Sequence, residues 1–485
     1  MKGHHFIMQN SHEKARQTWI LVLASLASFM VSLDALVVVT ALTTIHRDLG
    51  VSIEALEWTL NAYTLSFAVL LIPAAALGDR FGRRRMFVAG LLLFVGASAA
   101  CALAHNIGWL IAARTIQGCG AALVLPLALT LLSAAFPPEQ RARALGIFGS
   151  IMGLALIAGP VVGGSIAQGL AWQWIFWLNV PIGLLIVALV LSRVQQSFGP
   201  RTSLDLGGLL SVSGASLGLV WGLVRGNSAG WGSFEVKASL VAGGLLAIVF
   251  VAWELRARAP MVPMHFFRAR AFSAGNAAIF LQTTSLVGVV FLIAQFFQVA
   301  QGNGPLGAGL RLLPLTATLF VVAPLAGVLV NRIGERVLVA GGLFLQAIGI
   351  AWIGLVAAPG LPYAELIAPL IIAGCGVSLA TPAMQNAVIN AVRAGDIGKA
   401  SGAFSMFRQL GSAFGVAILA AVFAATGSLG SAQAFSSGFA SALSVAAALS
   451  LLGAIAGLVL PGRQVKEIEP EERKTAAMHE EALSP

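Results

Sequence analysis

Asp34 is the one acidic side chain deep inside a long apolar stretch of this 485-residue chain. A carboxylate placed in hydrocarbon costs about 2.5–3.5 kcal/mol or more, so Asp34 is expected to face a cavity or a partner. A carboxyl in such a place can take up and release a proton as its surroundings change, and it can attract a cation. The plainer alternative is a structural hydrogen-bonding residue. Arg114 is the second intramembrane charge. Asp34 lies 15 residues past Trp19, or about 22 Å from one interface, and Arg114 lies five past Trp109, or about 8 Å from the other. In a ~30 Å core both sit at one height, in the outer half. They are expected to pair, directly or through water, in at least one conformation. The pair is then either a proton switch or a permanent structural bridge.

Other residues with chemistry to offer are more scattered. Gly78-Asp79-Arg80-Phe81-Gly82-Arg83-Arg84-Arg85 places an acid among arginines between two turn-permitting glycines. Positive charge there serves topology; the embedded acid points further, to a latch in which Asp79 holds a facing helix end in the outward-facing state. Gly146, Gly149 and Gly153, then Gly159, Pro160, Gly163 and Gly164, form a small-residue stripe suited to close helix contact, with a proline that kinks. Arg408 lies about 12 Å into its helix with no acid at matching depth, and is expected to bond helix-end carbonyls, Gln409 or substrate. Asn61, Gln117, Gln282, Gln385 and Asn386 are cavity amides or interhelical glue. Glu57 and Glu365 are expected to be solvated near the outer mouths. Gly398-Lys399-Ala400 is no phosphate loop, so ATP is not expected as the energy source. Neither a zinc motif nor a nucleophile elbow is present, which argues against an enzyme, a metal site or a cofactor.

The elements that carry these residues are long and apolar. Hydrophobic residues make up 58% and charged residues 10% of the chain, against about 25% charged in soluble domains. Apolar runs of membrane-crossing length recur at approximately 18–44, 55–77, 86–104, 109–134, 144–168, 174–194, 205–225, 237–256, 272–297, 306–330, 337–357, 365–391, 400–426 and 434–460. This predicts an all-α membrane protein with fourteen transmembrane helices. The net charge of +10 is no nucleic-acid signature, because 23 of the 29 Lys and Arg fall on one side of these spans and 4 on the other. That asymmetry puts both termini in the cytoplasm. Trp58, Trp109, Trp172, Trp174 and Trp231 near outer ends agree with this frame. Cys101, Cys119 and Cys375 lie in apolar runs without metal spacing and read as small core residues.

A weak internal repeat sets Gly78–Arg84 after span two against Val330-Asn331-Arg332-Ile333-Gly334-Glu335-Arg336 after span ten. Parallel halves follow: a tail at 1–17, a six-helix bundle at 18–194, an inserted helix pair at 205–256, a second six-helix bundle at 272–460 and a tail at 461–485.

Together these motifs resemble the major facilitator superfamily, in its fourteen-helix drug:proton antiporter branch. The resemblance is carried by the Gly78–Arg85 loop, by Arg114 through Gln117, Gly118 and Gly120, by Gly153 with Gly159-Pro160 and Gly163-Gly164, and by Leu33-Asp34. The chain departs from the branch at Val39 and Thr43, where Asn and Pro usually stand. The resemblance implies a secondary transporter in the inner (plasma) membrane that exports hydrophobic, often cationic, drugs against protons, with Asp34 and Arg114 in proton coupling. It implies small molecules, protons and lipid as partners, and neither nucleic acid nor ATP. A single chain is compatible with it, and oligomeric state stays open. A metabolite uniporter or symporter is the alternative reading, and a non-transporting membrane sensor a weaker one.

Overall fold

A computed structural model describes residues 2–198, 205–393, 396–428 and 430–462; the expected tail beyond lies outside it, as do the surroundings of Gly146, Gly149 and Gly153. Among the described residues the chain is helical, with no strand. The first group of helices is α1 (Lys2–Leu49), α2 (Ile53–Phe81), α3 (Arg83–Ala102), α4 (Ile107–Ala135), α5 (Pro138–Gly169), α6 (Trp174–Trp177) and α7 (Asn179–Arg193). A pair follows, α8 (Leu206–Ala229) and α9 (Phe234–Glu254). The last group is α10 (Arg270–Gln295), α11 (Pro305–Arg311), α12 (Leu313–Ile333), α13 (Glu335–Val356), α14 (Ala364–Asn390), α15 (Ile397–Thr426) and α16 (Ala432–Leu458). Eleven helical segments among the described residues are long and apolar enough to cross a membrane, twelve with α2, which bends by 54° at Pro73.

Turns at the expected outer face are closed by side-chain caps. Ser52, Asn106, Ser233 and Ser431 each accept from a backbone N–H three residues on. Three expected single spans are broken instead. The sixth divides at Leu178 into α6 and α7. The ninth ends in a π turn, Phe296–Ala300. The tenth divides at Leu312, because Pro314 needs no donor in a first turn and starts a new helix, α12.

The same pairings occur in both groups. Helices α1–α5, α1–α4, α2–α4, α3–α4 and α3–α7 pack together, and so do α10–α15, α10–α14, α12–α14, α13–α14 and α13–α16. Glycine makes the matching crossings possible. A Cβ on Gly120 would lie 2.6 Å from Phe94 N, and one on Gly376 would lie 2.4 Å from Gln346 N. Gly118 meets Tyr63 O at 2.4 Å in the same sense as Gly374 meets Leu315 O at 2.3 Å. The twin tripeptides Gly118-Cys119-Gly120 and Gly374-Cys375-Gly376 are therefore a second, sharper trace of the repeat.

Between the groups, α2 packs on α15 and α5 on α11 and α12. The α5–α11 seam is tight: a Cβ on Gly164 would lie 2.5 Å from Pro305 O, and one on Gly309 2.1 Å from Pro160 O. Gln168 Oε1 accepts from Leu306 N at 3.2 Å along the same seam. These contacts close the expected outer end. The pair α8–α9 crosses at Gly218 and Gly243, and α8 rests on α2 and α15.

Candidate functional site

Asp34 and Arg114 meet at 2.6 Å between Oδ2 and Nη1, with 2% and 0% of their surface exposed. Both carboxylate oxygens have partners, while Arg114 Nη2 is buried with no bond among the described residues. Arg114 and Gln117 are three apart on α4 and so share a face. Gln117 Nε2 donates to Asp34 Oδ1 at 2.9 Å, and Gln117 Oε1 accepts from Arg114 Nη1 at 2.7 Å. Asn179, first residue of α7 after the Leu178 break, donates to Asp34 Oδ1 at 2.8 Å. Ser98 Oγ on α3 accepts from Gln117 Nε2 at 2.7 Å and from Asn179 Nδ2 at 3.3 Å, which fixes both amides. Arg114 Nε donates to Thr59 O at 3.1 Å, and its guanidinium lies 4.2 Å from the Tyr63 ring centroid. Five helices thus converge on one carboxylate: α1, α2, α3, α4 and α7. They can do so because Gly118 and Gly120 let α4 approach its neighbours.

A second polar node lies on the counterpart helices of the last group. Gln282 Oε1 accepts from Thr381 at 3.1 Å, Gln346 Nε2 donates to Gln282 O at 3.4 Å and to Ser450 at 3.1 Å, and Ser450 donates to Ser285 at 2.8 Å. These residues sit on α10, α13, α14 and α16, the counterparts of α1, α3, α4 and α7. The node carries no charge: Leu370 stands four residues before Gly374, where Arg114 precedes Gly118.

The remaining sequence candidates divide. Asn61 is fully buried, with neither amide atom bonded among the described residues. Arg408 and Gln409 are half-buried, and among the described residues the Arg408 side chain makes no hydrogen bond or ion pair. Asn386 donates to Glu335 Oε1 at 2.7 Å, tying α14 to the start of α13 at the expected inner face, and Gln385 is exposed. Neither sits with the central nodes, because the first turns of α13 lie level with the end of α14. Glu365 is exposed, as expected. Glu57 is not: it is 4% exposed, because α2 starts at Ile53 and residue 57 is already a turn inside the packed helix.

At the expected inner face, α2 passes to α3 through Gly82 alone, at φ 103°. Gly82 N donates to Gly78 O at 2.9 Å, and Asp79 Oδ1 accepts from Arg83 Nε at 2.9 Å. Arg83 N donates to Ser197 O at 2.9 Å, and Arg84 bonds Gln196 and Val194 O. The loop is thus docked on the strand-like segment after α7, and Asp79 is engaged four residues along its own chain; Arg80 remains at the end of α2. A Cβ at Gly82 would lie 1.8 Å from Gln196 Nε2 in a backbone region that L-residues avoid. Gly82→Ala is expected to cost about 1–3 kcal/mol, read as a lowered Tm in detergent; an unchanged Tm would show the docking to be dispensable.

In the helix α5 stripe, Gly159 and Gly163 pack on α1 against Leu36 and Val37, whereas Gly164 and Pro160 face α11. Sequence reasoning missed Asn179, Ser98 and Tyr63, and also Gln298 and Gln346. The signal available was the rarity of mid-span amides, which marked Gln117 and Gln282 and applied equally to Asn179, Gln298 and Gln346; Ser98 and Tyr63 gave no such signal. A cavity of about 430 Å³ lies at the expected outer rim, beside Arg47, Asp48 and Trp172, away from the ion pair.

Comparison with known proteins agrees with this architecture. The family model of the Major Facilitator Superfamily matches residues 24–416 and 277–483. The "Multidrug resistance protein Stp" of Mycobacterium tuberculosis (strain CDC 1551 / Oshkosh) is 36% identical over 411 residues, covering 84% of this chain and 76% of that protein. The "Tetracenomycin C resistance and export protein" of Streptomyces glaucescens is 33% identical over 410 residues, covering 84% and 76%. Among solved structures, a POT family transporter in complex with a thioalcohol-conjugated peptide superposes with a TM-score of 0.70, at 15% identity, over 91% of this chain and 95% of that one. That last likeness is one of fold. With the buried charges of the first group, the repeated packing and a match along most of its length, the chain belongs to the major facilitator superfamily, as a multi-pass membrane transporter of small molecules.

Proposed function

We propose that the protein is a fourteen-span, proton-coupled exporter of drug-like molecules in the inner (plasma) membrane, with both termini cytoplasmic. The observation that carries this reading is the saturation of Asp34. Its two oxygens accept from Arg114, Gln117 and Asn179. A proton on Oδ2 would set an O–H against the Arg114 donor, and a proton on Oδ1 would set it against two amide donors. Either way the node has to rearrange, so proton binding and packing of α1 on α4 are linked. The count of fourteen takes α5 and α12 as further spans beside the twelve segments above, a reading their length supports.

Export of drugs is supported by relatives named for multidrug resistance and for tetracenomycin C resistance and export. The cycle admits an outer proton to Asp34 as the drug leaves, then releases the proton inside as the two bundles rock. In the closed arrangement Asp34 has no charge left over for a cationic drug. Arg408, half-buried and without a counter-ion among the described residues, favours substrates that bear an acidic or acceptor-rich group instead. The test is proton release from inverted vesicles, followed with a pH-quenched dye and a panel of lipophilic cations, neutral compounds and weak acids. Arg408→Gln is expected to raise KM for weak acids about tenfold or more, roughly one charge-assisted hydrogen bond, and to spare neutral compounds. Equal losses for all classes would make Arg408 a structural residue.

A further inference from the structure

The expected outer end of α1 is tied to the second bundle by side chains outside the proton node. Thr43, 8% exposed, donates its hydroxyl to Gln298 Oε1. Gln298, 6% exposed, returns a bond from Nε2 to Thr40 O at 3.3 Å and holds Ala294 O of its own helix at 3.2 Å. Gln298 is presented by the π turn Phe296–Ala300, in which Gln301 N donates to Phe296 O. Such turns insert one residue and swing side chains out of the α-helical register, and they gather at functional sites. The turn itself belongs to the second bundle: Phe296 stacks on Phe439 with ring centroids 4.6 Å apart, and Phe297 meets Tyr363 at 6.2 Å. One bundle therefore anchors the turn and the other receives its amide.

We propose that Thr43 and Gln298 are positioning residues that latch the outer mouth shut, a reading that rests on alternating access. Both partners are neutral, so on opening each exchanges its bond for water at little cost, as a reversible latch requires. Thr43 is nine residues from Asp34 on the same helix, about 14 Å along it, so a shift of α1 at the proton node moves the latch as well. Thr43 occupies the position where the drug:proton branch usually carries proline, which has no hydroxyl.

Ala308 reports on the mouth, being fully buried on α11, the helix that packs on α5. In a background with Cys101, Cys119 and Cys375 replaced by Ser, Ala308→Cys is labelled in intact cells by a membrane-impermeant maleimide. Thr43→Val, which keeps the shape and drops the hydroxyl, is expected to speed labelling about fivefold, the equivalent of one net hydrogen bond. Gln298→Leu, which also removes the bond to Thr40 O, should speed labelling at least as much, the double variant no more than Gln298→Leu alone, and Thr43→Ser should match the parent. Unchanged labelling in Thr43→Val and Gln298→Leu would overturn the latch, as would additive effects or a Thr43→Ser variant as leaky as Thr43→Val. Labelling needs no substrate. A protein that labels as expected yet exports nothing would refute the export reading and leave the latch standing.

Discussion

Asp34→Asn is expected to abolish drug-dependent proton release while the protein still folds. The amide keeps the size of the carboxyl and cannot shed a proton. One of its two polar atoms becomes a donor, facing either Arg114 Nη1 or the amides of Gln117 and Asn179. The buried guanidinium then loses its only carboxylate among the described residues, a change of about 3–5 kcal/mol for a buried pair. With no carboxyl at this position to carry the proton, coupled flux should fall to the level of vesicles that lack the protein. The vesicle assay reads this directly, with wild type and variant at matched expression. A variant that still releases protons when drug is added would remove Asp34 from the coupling step. Arg114→Gln leaves the opposite orphan, a carboxylate 2% exposed, and should lower expression and Tm as well as flux. If Arg114→Gln alone failed, and Asp34→Asn worked normally, the pair would be a structural bridge.

Neighbouring glycines of α5 should fail in different ways, and this is the second large effect. A Cβ at Gly164 would lie 2.5 Å from Pro305 O and 2.7 Å from Leu306 Cα, both backbone atoms of the opposite bundle. Backbone cannot yield as a flexible side chain does, so Gly164→Ala pushes the α5–α11 seam apart. The outer end then stays open, and export is expected to drop about tenfold or more while the protein remains monodisperse and melts normally. Gly163→Ala meets Val37 O at 2.6 Å and Thr40 Oγ1 at 2.4 Å, both inside its own bundle. Its cost, about 1–3 kcal/mol for overpacking, falls on the fold, so Tm and yield should drop. Melting curves and export rates for the two variants separate these outcomes. Equal loss of Tm in both would mean that α5 does not distinguish the gate from the bundle.

Much of the machinery was legible from residue types and depth. Asp34 and Arg114 stood out because charge in hydrocarbon is rare, and their equal height followed from 1.5 Å per residue counted from tryptophan markers. Height says nothing about azimuth. The sequence could place both groups in the outer half without showing that Gln117, Asn179 and Ser98 close around them. Depth also misjudged Glu57, which lies near a helix start and is nonetheless packed over. Gln385 and Asn386 shared one expectation, yet adjacent residues on a helix point about 100° apart, so one is exposed and the other holds Glu335. Asp79 pairs with Arg83 four residues along its own chain, a contact that i, i+4 spacing allows, and not with a facing helix end.

The sequence by itself determined the membrane class, the recurrence of long apolar helices and the rarity of Asp34, because hydropathy and charge act along the chain. Tertiary structure alone decided which helix faces meet. It set the five-helix convergence on Asp34, the uncharged counterpart around Gln282 and Gln346, the α5–α11 seam and the Thr43–Gln298 bridge. Each depends on groups 19 to 258 residues apart in the sequence coming into contact. In a membrane nearly every residue is apolar, so hydrophobicity no longer tells an inward face from an outward one. Close packing at glycine and satisfaction of buried polar groups make that choice, and both are properties of pairs of helices.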